Sequence, residues 1–182
     1  MPEYVALLRG IAPMNPNQKN ENLRRVFEEL GFEDVRTVIS SGNVLFRSDS
    51  TDADEMEAML EEAWPAKLGF NSTTIIRSIP ELQKLVDADP FAGFEHSRET
   101  YLLVTFCKRA PKIDFELPHQ APGSATQLIA QIGRELFTVT DTTQGSGADA
   151  MGWLDKTFEK EITSRTWLTV HRVLKKAKAP QS

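Results

Sequence analysis

A chain of 182 residues that is 40% hydrophobic and 26% charged has an ordinary globular composition, with length for one large domain or two small lobes sharing a core. Its formal net charge of −5 argues against generic nucleic-acid binding, which draws on Lys and Arg against phosphate. One cysteine excludes an internal disulfide framework, and no apolar run approaches the ~20 residues a membrane helix needs.

Residues 3–9, EYVALLR, read as a strand apolar on both faces, the pattern of a strand in the middle of a sheet. The chain enters it directly, without the basic region and long apolar segment of a signal peptide, so a cytoplasmic location is expected. A Pro- and Asn-rich loop, GIAPMNPNQKN, leads to a helix. Its apolar stripe is Leu23, Val26, Phe27 and Leu30, with Asn17 or Asn20 as the expected cap and Gly31 as the stop.

Val35–Ile39 and Val44–Arg47 read as two strands joined by a Ser-Ser-Gly-Asn corner. The next helix starts at Asp52 with Glu55 three residues on, buries Met56, Met59, Leu60 and Ala63, is interrupted by Pro65 and ends at Gly69. The acidic stretch around Asp49–Glu62 reads as a solvated helix surface. A strand over Thr73–Arg77 completes the order β-α-β-β-α-β, the ferredoxin-like split arrangement with the first and third strands central.

Beyond it, SIPELQKLV is a short helix with a Ser78–Glu81 capping box, and YLLVTF (101–106) is a doubly buried strand. Residues 108–125 read as irregular, and Gln127–Ile132 with Glu135–Thr140 as a hairpin about Gly133-Arg134. The loop DTTQGSGAD leads into a helix burying Leu154, Phe158 and Trp153. A last helix is expected from a Thr163 or Ser164 cap, with Trp167, Val170 and Leu174 inward. The expected fold is α+β: a ferredoxin-like βαββαβ lobe over residues 1–78 packed against a second α/β lobe with antiparallel strands over 79–178. The closing stretch KKAKAPQS is basic and polar and is expected to fray, with 179–182 as a tail.

Two segments carry a resemblance. YVALLRGI followed by NLRRVFEELGFEDVRTVISSGNVLF resembles the N-terminal signature of the bacterial domain-of-unknown-function 1697 family. TSRTWLTV, Thr163 to Val170, is similar to that family's Thr-Thr-Arg-Asn-Trp-x-Thr-Val segment. The resemblance implies two ferredoxin-like lobes and no established activity. The family's Gly-Gly-Lys-type loop after the first strand is IAPMNPNQKN here, and the family's Asn is Thr166.

The topology itself makes one functional suggestion. The first two strands run parallel, so the loop after Arg9 and the Ser40–Asn43 corner share one sheet edge with the start of the first helix, a natural place for an anion. Arg9, Gly10, Ser40, Ser41, Gly42 and Asn43 are therefore candidate contacts to a phosphate or carboxylate. Ser, Gly and Asn are also what a tight turn requires without any ligand. Arg165, in what reads as a helix's first turn, needs a carboxylate or a bound anion beside it.

His96, His119 and His171 match no metal-ligand spacing, and Cys107 reads as a small buried apolar residue, so neither a metal nor a cofactor is expected. The reading is a binding protein for a small anionic molecule. The alternatives are an enzyme acting on a phosphorylated or carboxylated metabolite in the same pocket, or a protein-interaction module.

Overall fold

In the computed structural model, which describes residues 1–39 and 42–179, the chain divides into two compact units. The first comprises Met1–Lys84 and the stretch from Arg172 onward; the second is Leu85–His171. Among the described residues no helix is long and apolar enough to cross a membrane.

The first unit is built on β1 (Glu3–Leu8), α1 (Asn20–Glu29), β2 (Glu33–Thr37), β3 (Asn43–Arg47), α2 (Ala53–Ala63) and β4 (Thr74–Ser78). The sheet order is β2-β3-β1-β4 with antiparallel neighbours, the split arrangement expected. Central β1 is buried on both faces. Tyr4, Ala6 and Leu8 pack with Val44, Phe46 and Ile76 under Leu23, Val26 and Phe27 of α1 and Met56 and Leu60 of α2. Phe27 lies 5.3 Å from Phe46 and 5.9 Å from Trp64, whose indole stacks on Phe70.

The first helix ends as its Gly31 requires. Gly31, at φ +93, donates to the Glu28 carbonyl, and Phe32 donates to that of Phe27. Phe32 also packs on Phe27, which completes a Schellman motif with its apolar contact. The start differs from expectation. Lys19 occupies the cap position with no side-chain hydrogen bond, while Asn17 donates to the Leu68 carbonyl and Asn20 to that of Ile39. The second helix is capped by Asp52, which accepts from the Glu55 amide, and yields at Pro65 to one π-helical turn closed by Gly69 at φ +78.

Strand β2 lies two residues earlier than its alternating pattern indicates. A bulge between Glu33 and Arg36, with Asp34 at φ +49, shifts the ladder, and the chain leaves it after Thr37. The acidic stretch is also not wholly a solvated face. Glu57 is 4% exposed and accepts from the Ile76 amide at 2.8 Å, and Glu61 accepts from the Thr74 amide at 3.1 Å. Four residues rise about 6 Å along a helix and two advance about 6.6 Å along a strand, so α2 places one carboxylate opposite each of two successive outward N–H groups of edge strand β4, those of Thr74 and Ile76.

The second unit holds β5 (Thr100–Cys107), β6 (His119–Gln120), β7 (Thr126–Ile132), β8 (Glu135–Asp141), α4 (Gly147–Phe158) and β9 (Ile162–Thr166). Its sheet order is β6-β7-β8-β5-β9, again with antiparallel neighbours. Helix α3 (Ile79–Asp87) begins with the expected Ser78–Glu81 capping box, and α5 spans Trp167–Lys178. The short β6 lies in the stretch expected to be irregular. Ala150 and Leu154 of α4 cover Leu103, Leu128 and Leu136, while Trp153 and Phe158 are only partly buried.

The largest correction is β9. Thr163 and Ser164 do not cap a helix; they sit in a strand paired with β5, Ser164 opposite Thr105 with their hydroxyls 2.8 Å apart. The helix starts after Thr166, whose hydroxyl accepts from the Thr169 amide. Removing the buried carboxylate of Glu57 strands an edge amide. Glu57→Ala should lower unfolding free energy by about 1–3 kcal/mol in a denaturant titration, while the exposed neighbour Glu62→Ala changes it by less than about 0.5 kcal/mol.

Candidate functional site

The expected meeting of the first loop and the corner after β2 is present. Leu8 donates its amide to the Gly42 carbonyl at 2.9 Å, one step beyond the β1–β3 pair Leu7–Asn43. Arg9 follows with its backbone held on both sides. Its N–H donates to the Thr73 carbonyl at 2.9 Å, and its carbonyl accepts from Ser72 Oγ at 2.7 Å. The guanidinium thus leaves from a fixed Cα. Gly10, at φ +73, turns the chain away from the sheet.

The loop after Gly10 is folded on itself by Gln18. This side chain, 9% exposed, accepts from the Ala12 amide at 2.8 Å and from Asn15 Nδ2 at 3.3 Å. It delivers Lys19 and the uncapped start of α1 to the same edge, where Asn20 donates to the Ile39 carbonyl at 2.9 Å. Arg9, Gly10, Gly42, Asn43 and the first turn of α1 therefore belong to one sheet edge. Ser40 and Ser41 lie outside the described residues.

Two of the candidates do structural work there. Asn43 is 2% exposed, and its Nδ2 donates to the Val38 carbonyl at 3.1 Å while Val38 donates its amide back to the Asn43 carbonyl at 2.9 Å. Gly42 has φ +77, and a Cβ built on it would stand 2.9 Å from Ile11 Cγ1 and 3.0 Å from the Leu8 oxygen. Both its dihedral and its neighbours demand glycine. Ile39 carries the less expected burden: a β-branched residue at φ +61, 40% exposed, in a conformation such side chains rarely adopt. Nothing in the local sequence marks it.

Arg165 belongs to the second unit, on β9 opposite Val104, and not to a helix's first turn. Its Nη1 donates to Thr163 Oγ1 at 2.7 Å and to the Ser164 carbonyl at 2.8 Å. Burial pushes its guanidinium down to about 10, so it stays protonated at neutral pH. Cys107 is 3% exposed. His96 Nδ1 accepts from the Leu102 amide, and His119 stacks on Phe115 with ring centroids 3.9 Å apart. Among the described residues no group of three or more His, Cys, Asp or Glu side chains is placed to hold a metal ion.

The sequence comparisons agree with this architecture. The model of the family described as "Protein of unknown function (DUF1697)" matches residues 1–137, and the chain belongs to that family. The TSRTWLTV segment lies beyond the matched residues. No curated protein matches the chain. A solved structure described as conserved bacterial protein SP0830 from Streptococcus pneumoniae is similar in fold, with a TM-score of 0.67 at 19% identity, covering 97% of this chain and 99% of that one.

Glycine at position 42 can be separated from glycine at position 10 by experiment. Both have positive φ, but only Gly42 is crowded; nothing lies within 4 Å of a Cβ on Gly10. Gly42→Ala should cost about 2–4 kcal/mol of stability in denaturant titrations and Gly10→Ala about 1 kcal/mol, the difference reporting the close approach to Leu8 and Ile11.

Proposed function

We propose that this member of the family binds a small anionic metabolite, phosphorylated or carboxylated, at the sheet edge where Arg9 leaves β1. One juxtaposition supports the reading: an arginine with a clamped backbone beside a helix start that has no side-chain cap. The guanidinium offers a planar fork matched to a carboxylate or phosphate. The first-turn amides of α1 add the partial positive charge of a helix N-terminus, and Lys19 adds a second cation next to it. Asn43 and Gly42 shape the edge and are committed to the turn, so the ligand contact is assigned to Arg9 and the helix start. Arg165 is assigned no part in this contact, since its Nη1 donates to Thr163 and Ser164.

Thermal denaturation with inorganic phosphate, malonate, citrate and a set of sugar phosphates tests the assignment. A bound anion raises the midpoint by mass action in the native chain. The rise should vanish in Arg9→Ala, with far-UV circular dichroism verifying that the variant keeps its fold. No rise with any of these anions, or an undiminished rise in Arg9→Ala, would overturn the proposal.

A further inference from the structure

The second unit contains three hollows that share walls. The first, about 650 Å³, and the second, about 450 Å³, meet at Phe94 and Thr100. The second and third, the latter about 390 Å³, meet at Gln120 and Ala125. They adjoin in a row through these shared walls, a groove in three parts. Among the described residues its walls carry five carboxylates, Asp89, Glu95, Glu99, Asp141 and Asp149, and no lysine or arginine. Other hollows of the chain are mixed in sign: Arg109 and Lys112 face Glu159 and Glu161 in one, and Arg47 faces Glu33, Asp49 and Glu55 in another.

The apolar feature of this groove is built into the loop. Successive turns, Asp89 N–H to Val86, Ala92 N–H to Asp89 and Phe94 N–H to Phe91, hold residues 86–94 in a compact course. Phe91, 3% exposed, anchors it against Phe137 and Trp167, leaving Phe94 presented at the surface, 42% exposed. Farther along, Thr142 donates its amide to the Glu99 carbonyl at 3.0 Å and ties the loop to the end of β8.

Among the described residues these carboxylates form no salt bridge with a cation of the chain. The salt bridges of Arg24, Arg36, Arg47 and Lys67 go to Glu28, Glu3, Asp34 and Glu29. Asp141 is held below the usual carboxylate range by hydrogen bonds from the Thr143 hydroxyl and amide, and Asp149 accepts from the Ser146 amide.

We infer that this groove docks a basic, partly apolar stretch of polypeptide from a partner protein. A chain of several Lys or Arg side chains spaced by a bulky apolar residue matches it: the cations follow the carboxylate walls, and the apolar side chain covers Phe94. Charge complementarity of this kind governs association rate and partner choice, and each exposed pair contributes only a small factor, so several act together and salt weakens them. The groove lies wholly in the second unit and takes a charge opposite to that of the ligand proposed for the first.

The test is fluorescence anisotropy on the full chain with a short labelled peptide alternating Arg, Lys and Leu, with its Glu-substituted counterpart and with spermine as competitor. The basic peptide should bind at low salt and weaken as salt rises, while the acidic one does not bind. Glu95→Gln combined with Glu99→Gln should reduce its affinity about tenfold, and Phe94→Ala should reduce it severalfold; both changes are at exposed positions, and unchanged thermal midpoints verify the fold. No binding of the basic peptide, an affinity unmoved by the paired Gln substitutions, or one unmoved by Phe94→Ala overturns the proposal. Displacement by spermine at concentrations equal to the peptide's own also overturns it, because that marks a site for bare cations.

Discussion

The first unit depends on the register in which β1 lies beside β3. Both faces of β1 are buried, Tyr4, Ala6 and Leu8 on one and Val5 and Leu7 on the other. A slip of one residue would exchange these sets between unlike environments. The pairing runs from Glu3 opposite Arg47 to Leu7 opposite Asn43 and is closed by the Leu8 amide on the Gly42 oxygen. That last bond brings two backbones close enough that only a hydrogen fits on the Gly42 Cα. The same contact presents Arg9 and the start of α1 at one edge, so the geometry of the candidate site is a by-product of the register.

The polar groups of this unit are satisfied by elements far away in sequence. The outward amides of Thr74 and Ile76 on β4, an open sheet edge, are taken by Glu61 and Glu57 of α2, which also blunts the edge against pairing with another chain. Trp64 donates its indole N–H to Thr74 Oγ1 at 2.9 Å. Arg36 donates to the Lys176 carbonyl and to Glu3, and Lys176 Nζ to the Thr37 carbonyl, fastening the end of α5 to β2. These bonds convert charged side chains that look like surface into fasteners between layers.

The two candidate sites illustrate how charge is distributed on a chain of net charge −5. The end of β1, where Arg9 follows, and the start of α1, where Lys19 sits, fall at one edge of the first unit, while Asp89, Glu95, Glu99, Asp141 and Asp149 line a groove in the second. Average composition conceals both, since a site responds to the charges within a Debye length of it and not to the total.

Several signals contained within a few residues determined the outcome by themselves. The doubly apolar runs of β1 and β3, the Ser78–Glu81 box, the Gly31 stop, the Pro65 interruption and the hairpin at Gly133, with φ +59, are all legible and all present. The β-α-β-β-α-β order then led to the neighbourhood of Arg9 and Gly42 by topology alone. Tertiary structure decided the rest. Thr163-Ser164-Arg165-Thr166 has the hydroxyls of a helix cap, and only the ladder to β5, some sixty residues earlier, makes it a strand. Glu57 resembles its solvated neighbours until β4 presents an amide to it, and the groove walls come from loops separated by up to 60 residues, Asp89 to Asp149. Local hydrogen bonding and periodicity are written in adjacent residues, whereas pairing partners are chosen by burial across the whole fold.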